Sequence, residues 1–291
     1  MIVTATAVQL LIDDGKLSMQ QRLAEVLPAC SGDGREAITL AHMLTHTSGL
    51  PSGIAAKPAW SGKEEALRRA CALSPTDAPG TAFRYSDVNF ILLGAIVERA
   101  SGESLDTFAA RRIFAPLGMT STWFQVPESQ MKRLTTNYFQ APFGAFPIDP
   151  GNDSVYFDKP AFPFGGAGLV SSPRDYDRFL AMLMGEGALD GRRIMKRETA
   201  QLAMSNLVHP DTKMESFVKG QGFGAGGRVT IAASPSGEGI GTFGWGGAAS
   251  TIAWADRTRG IRASGWSQIM TMGEQPFTID FGKAVYASMV S

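Results

Sequence analysis

Apolar residues fill positions 2 to 12 almost without interruption, from Ile2 through Val8 and Leu11 to Ile12, before Asp13-Asp14-Gly15 stops the run. A helix with no polar face needs burial on every side, and this one carries neither an N-cap nor a polar first turn. The pattern therefore predicts a core helix with further chain ahead of Met1. Thr39 to Leu44 reads as a short helix closed by the turn Thr47-Ser48-Gly49-Leu50-Pro51. Phe90, Leu93, Ile96 and Val97 recur at helical spacing between Ser86 and Ala100, and Gly102 ends that segment. A further helix is expected through Ile113, then others at about 173–185 and 193–205.

Ser18 to Gln21 and Ser61 to Glu64 have the spacing of capping boxes and predict helix starts. Residues 120 to 170 are rich in Pro, Gly and aromatics without a sustained period, as expected for loops over a cleft. In the last third the pattern becomes short. Val229 to Ala232, Gly241 to Gly244, Thr251 to Ala255 and Ile261 to Trp266 predict antiparallel strands, and Phe277 to Met289 a closing helix. Helices in the middle and strands near the end predict an α+β fold, with an antiparallel sheet flanked by helices. The expected organisation is one domain over 1–291, its helical region at about 16–220 set against a sheet region at about 221–291.

Charge narrows the function. Lys+Arg and Asp+Glu are both 27 in 291 residues and cancel, which leaves no field to draw a polyanion and argues against nucleic acid as a partner. The N-terminal apolar run is too short to span a bilayer and lacks the positive start of a signal peptide. A cytoplasmic location is expected, or a periplasmic one if an export signal lies upstream. Cys30 and Cys71 fit no metal or redox pattern and are read as two separate buried thiols. His42 and His46 are four apart with no acidic residue between them, which suggests a structural role at a helix end. No metal or organic cofactor is implied.

Acyl transfer needs a nucleophile, a base and oxyanion donors. The chain contains no Gly-x-Ser-x-Gly elbow. Ser129 with Lys132, and Ser216 with Lys219, have Ser-x-x-Lys spacing, but both pairs lie in polar, loop-like stretches and are read as coincidence.

Four segments occur in order: Thr39-Leu-Ala-His-Met-Leu-Thr-His-Thr-Ser-Gly-Leu-Pro51, Tyr85-Ser-Asp87, Phe164-Gly-Gly-Ala-Gly-Leu-Val-Ser-Ser172 and Phe243-Gly-Trp-Gly-Gly-Ala248. Together they resemble the class C β-lactamase-like serine hydrolases, penicillin-binding-protein relatives that include many carboxylesterases. The resemblance runs through the whole chain and implies a β-lactamase-like fold. It also implies that the Ser-x-x-Lys motif, whose lysine would fall immediately before Met1, and the N-terminal strands of the sheet are absent from this chain.

By the same resemblance Tyr85 is the catalytic tyrosine that relays a proton, a role that needs a neighbouring cation. Asp87 stands where relatives active on β-lactams tend to carry Asn. Trp245, Gly246, Gly247 and Ala248 replace a Lys-Thr-Gly type strand motif, with the Ala248 N–H as an oxyanion donor. Trp245 in place of a lysine removes a charge that would hold a substrate carboxylate. The expected activity is that of a carboxylesterase working through an acyl-enzyme on a small-molecule ester. The alternatives are a β-lactamase or D-amino-acid peptidase, and a non-catalytic binding module. Loss of sheet strands would expose an edge, so a homo-oligomer or completion by a separate N-terminal segment is also expected.

Overall fold

The computed structural model describes residues 1–214, 219–272 and 276–289. Ten α-helices are present among them. They are α1 (Ile2–Asp13), α2 (Leu23–Val26), α3 (Leu40–Leu44), α4 (Lys63–Cys71), α5 (Asp87–Ser101), α6 (Leu105–Ala109), α7 (Ala115–Leu117), α8 (Pro173–Met184), α9 (Arg197–Ala203) and α10 (Pro276–Ala287).

The all-apolar run does become a core helix: every residue of α1 from Ile2 to Leu11 is buried, against α5, α6 and α9. Each fully buried Val, Leu or Ile there contributes about 1.5–3 kcal/mol. Residues 88–97 of α5 are buried all round as well, which goes beyond the one-sided pattern expected for it. Its polar Asn89 is accommodated because Ser48 Oγ donates to Asn89 Oδ1 at 2.6 Å. Gly102 ends α5 in the left-handed conformation, its N–H returning to Glu98 O.

Two expected helix starts fall elsewhere. The Ser18 N–H does meet Gln21 Oε1, but α2 begins only at Leu23, capped through Arg22 and Glu25. At α4 the cap position is Gly62, and Ser61 makes no capping hydrogen bond. Capping-box spacing tests only local sequence, and here the preceding chain turns differently.

The two cysteines are a correction. Cys30 and Cys71 are joined in a disulfide rather than standing as separate thiols. Sequence separation hides their proximity, but α4 packs on the 3₁₀ turn Pro28–Cys30 and brings the two Cα atoms to 4.3 Å.

Five strands form an antiparallel sheet in sequential order: β5 (Gln221–Phe223), β6 (Arg228–Thr230), β7 (Phe243–Gly247), β8 (Thr251–Asp256) and β9 (Ile261–Gly265). The strand expected at 241–244 runs instead from Phe243 to Gly247, because Gly241 takes a positive φ and turns the chain. A second sheet has the order β10–β1–β2, built from the hairpin β1 (Asn137–Ala141) and β2 (Gly144–Asp149) with β10 (Ile269–Thr271) parallel to β1. The remaining pair, β3 (Ala188–Leu189) and β4 (Arg192–Arg193), is a small surface ribbon.

Register defines the two faces of the larger sheet. Trp245 pairs with Ala253 and Ala253 with Ser264, so these three residues share one face, which Arg262 and Trp266 join by two-residue parity. On this face α8 docks, with Arg262 paired to Asp177 and Tyr176 edge-on to Trp266 at 5.9 Å. On the other, Trp254 meets Phe281 and Tyr286 of α10. The chain thus has an α+β, β-lactamase-like fold, with the sheet layered between the helical body and α10.

Candidate functional site

A cleft of about 880 Å³ opens where α1, the start of α5, the 121–137 loops and the Trp245 face of the sheet converge. Tyr85 stands at this junction because of the segment that precedes it. His46, at φ 56° and fully buried, accepts a hydrogen bond at Nδ1 from the Ser86 N–H at 3.0 Å. Ser86 Oγ donates to Pro51 O, the Leu50 N–H donates to Ser48 Oγ, and the Arg84 N–H donates to His46 O. The Thr39–Pro51 segment is therefore the bracket that fixes the Tyr85 loop. His46 does sit just beyond a helix end, as expected, and also backs the Tyr85 ring from the buried side.

The Tyr85 ring is held between His46 at 4.6 Å and Trp245 at 5.7 Å, both stacked. Its hydroxyl donates to Met1 Sδ at 3.3 Å. Burial, reinforced by the Asp87 carboxylate and opposed by a hydrogen bond from Trp245, pushes its pKa up to about 12. At neutral pH the group is a phenol, and a nearby cation would be needed to make it a useful proton acceptor. Asp87 is half-buried, and burial raises its pKa while the amino group of Met1 opposes that shift. The Asp87 carboxylate accepts no hydrogen bond from the described residues, so this corner presents an anion beside a phenol, with the Met1 amino group as the charge acting on Asp87.

Trp245, Gly246, Gly247 and Ala248 line the opposite wall from β7. A Cβ at Gly247 would stand 2.4 Å from Thr251 Oγ1, so a side chain there would have to displace that hydroxyl. Gly246 is exposed to the cleft, and Ala248 lies just past the strand end, also exposed. The sequence-derived set of Tyr85, Asp87 and 245–248 is thus brought to one cavity.

Phe164 to Ser172 all line the same cavity. A Cβ at Gly165 would lie 2.2 Å from Phe90 O, and Thr4 Oγ1 donates to Gly165 O at 2.7 Å, so this wall presses directly on α1 and α5. Of the Ser-x-x-Lys pairs, Ser129 and Lys132 are exposed on a 3₁₀ turn outside the cleft lining, and Ser216 lies outside the described residues.

Sequence reasoning placed loops over the cleft without naming their aromatics, which include Trp123 and Tyr156, and it missed Tyr176 and Trp266 altogether. Strand parity carries a signal for Trp266, which follows β9 on the face that bears Trp245. For Tyr176 no comparable signal exists, because its place depends on how α8 docks. Among the described residues no cluster of three or more His, Cys, Asp or Glu is arranged to hold a metal. None of the described helices is long and apolar enough to cross a membrane.

Known proteins resemble this chain in sequence and fold. Protein Rv1367c of Mycobacterium tuberculosis is 30% identical over 87% of this chain and 72% of its own length. Esterase EstB of Burkholderia gladioli is 26% identical over 98% of this chain and 80% of its own. The solved structure of EstCE1, described as a hydrolase with promiscuous acyltransferase activity, superposes with a TM-score of 0.80 at 24% identity, covering 98% of this chain and 82% of that one. The Beta-lactamase family model matches residues 2–281, and the chain belongs to the Beta-lactamase family.

Proposed function

We propose that this chain carries the substrate cleft of a carboxylesterase that works through an acyl-enzyme on uncharged small-molecule esters. The observation that carries the reading is Trp245. In the wall facing Tyr85 it supplies a flat apolar surface, stacked on the phenol, where a lysine would attract a substrate carboxylate. The kinship with Esterase EstB points the same way.

The reading takes the nucleophile to be a serine, with its lysine, on the helical turn ahead of Met1. With the lysine immediately before Met1 the serine falls four positions ahead of it, where on a continued α1 it would share the Met1 face, and that face meets the Tyr85 hydroxyl. A lysine ammonium in that corner would balance Asp87 and lower the Tyr85 pKa. Serine Oγ then attacks the ester carbonyl and its proton passes through Tyr85 to the departing alkoxide. The Ala248 N–H donates to the oxyanion, and water releases the acid in a second step.

The test compares the 291-residue chain with a form extended upstream, using p-nitrophenyl butyrate, nitrocefin and a fluorophosphonate read by intact mass. Ester turnover and a single adduct are expected only in the extended form. Equal activity in both forms, no adduct in either, or nitrocefin turnover above ester turnover would overturn the reading.

A further inference from the structure

The second sheet is tied to the chain just past Ala248. The Ile269 N–H of β10 donates to Ala249 O at 3.3 Å, and Ser250 Oγ donates to Ile269 O at 2.6 Å. From there β10, β1 and β2 lie side by side. Register sets Phe139 beside Met270 on one strand and beside Phe146 on the other, so the three share one face. That face is turned to the cleft, because Met270 itself and Asn137, two residues before Phe139, line the cavity. The rings continue past the lining. Phe139 and Phe146 stand 5.7 Å apart between centres, and Phe146 stacks at 6.3 Å on Phe143 at the hairpin tip. Met270 and Phe139 are half-buried, Phe146 is 41% exposed and Phe143 86% exposed, so the row opens progressively to solvent.

This surface carries no charge. Neither residues 137–148 nor residues 263–272 include an Asp, Glu, Lys or Arg. Edge strands are ordinarily blunted by charged side chains, yet β2 exposes Ala145, Phe146, Pro147 and Ile148 in succession. Pro147 removes a backbone donor from that edge and disfavours addition of a further strand, while the aromatic face is left intact. A contiguous exposed apolar surface marks a binding site, and its continuity with the cleft points to an occupant that leaves the cleft.

Resting on the esterase reading, we propose that Met270, Phe139, Phe146 and Phe143 form a ramp for the distal part of a long, uncharged acyl chain. With the ester carbonyl near Ala248, three strand steps of about 4.8 Å put Phe146 roughly 14 Å away. A butyryl group falls far short of that ring, whereas an extended dodecanoyl group reaches it. Flat rings and a thioether accept methylenes anywhere along the row, so the ramp selects for chain length rather than for one shape.

Binding rather than turnover reads this out, so an extended form that hydrolyses no ester would sink the esterase reading and leave the binding result standing. N-butyl and N-dodecyl dansylamide are titrated into the 291-residue chain by fluorescence, below the concentration at which the longer probe aggregates. The dodecyl probe is expected to bind about 30-fold more tightly, since its added methylenes leave water on the ramp. Phe143→Ser, at an exposed turn position, should lower that ratio about threefold, and Phe143→Ser with Phe146→Thr should bring it below about fivefold, with urea midpoints unchanged. Equal affinities in the unaltered chain, or a chain-length preference untouched by the paired substitution, would overturn the proposal. A concentration-dependent dimer that the paired substitution dissolves and the dodecyl probe does not would also overturn it, and would assign the face to a second copy.

Discussion

Lowering the pH from 7 to 4 during urea unfolding probes the bracket that holds Tyr85. Burial among Phe83, Tyr85, Phe90 and Phe223 depresses the His46 imidazole from its ordinary 6.5 to about 3, and the Ser86 N–H already occupies its Nδ1 lone pair. The folded chain therefore keeps this ring neutral where the unfolded chain binds a proton. Stability is fully present above pH 6.5, declines as the pH drops from there toward about 3, and loses nothing more from this group below that. The slope is about 1.4 kcal/mol per pH unit, so by pH 4 the His46 contribution amounts to about 3 kcal/mol. Carboxylates titrate near the lower end of the same range, and the comparison variant separates them. His46→Asn tolerates the positive φ, offers an amide oxygen to Ser86, and cannot titrate. Whatever constant offset the smaller side chain introduces, its stability should decline less steeply, by about 3 kcal/mol over that interval. Parallel pH profiles for the two proteins would refute the assignment of the acid sensitivity to His46.

Gly165→Ala should cost about 1–3 kcal/mol or more in urea denaturation, because its Cβ meets the Phe90 carbonyl in a wall with no room to yield; a cost below about 0.5 kcal/mol would contradict the packing described. Replacing Cys30 and Cys71 by Ser together should lower stability by about 4 kcal/mol on chain-entropy grounds, given their separation of 41 residues; an unchanged urea midpoint would argue against the cross-link. In the upstream-extended form, Tyr85→Phe should lower kcat for p-nitrophenyl butyrate about 10²–10⁴-fold while leaving the unfolding midpoint nearly fixed, since the stacked ring remains. Unaltered turnover would remove Tyr85 from the proton path.

The parts of the fold legible in the sequence are those whose signal is local and repeated. The apolar run of α1, the periodic face of α5 with its terminal Gly102, and the alternating strands at the end announce themselves within a dozen residues. The Tyr85 corner was legible through motif order, since the four segments that meet around it are far apart in the chain. What escaped depends on contacts between distant segments. The three-residue strands β5 and β10 carry too little pattern to stand alone, the cysteines meet only after α4 docks, and Tyr176 faces the cleft only because α8 lies on the sheet. Asn89 shows the same limit in reverse. A polar residue outside the apolar positions named for α5 is buried, because Ser48 supplies a partner that periodicity cannot foresee.

The parallel pairing of β1 with β10 has a consequence for how the molecule is made. Residues 138–140 lie in the hairpin that borders the cleft, and their strand partners, 269–271, follow far later in the chain. Contacts at such sequence distance form late, after the loop entropy between them has been overcome. The helical body and the Tyr85 bracket can assemble while synthesis continues, but this wall stays open until residues 269–271 have emerged. A nascent chain thus has a scaffold well before it has an enclosed pocket. Proteases added during refolding should accordingly cut the 137–149 hairpin long after the helices have become resistant.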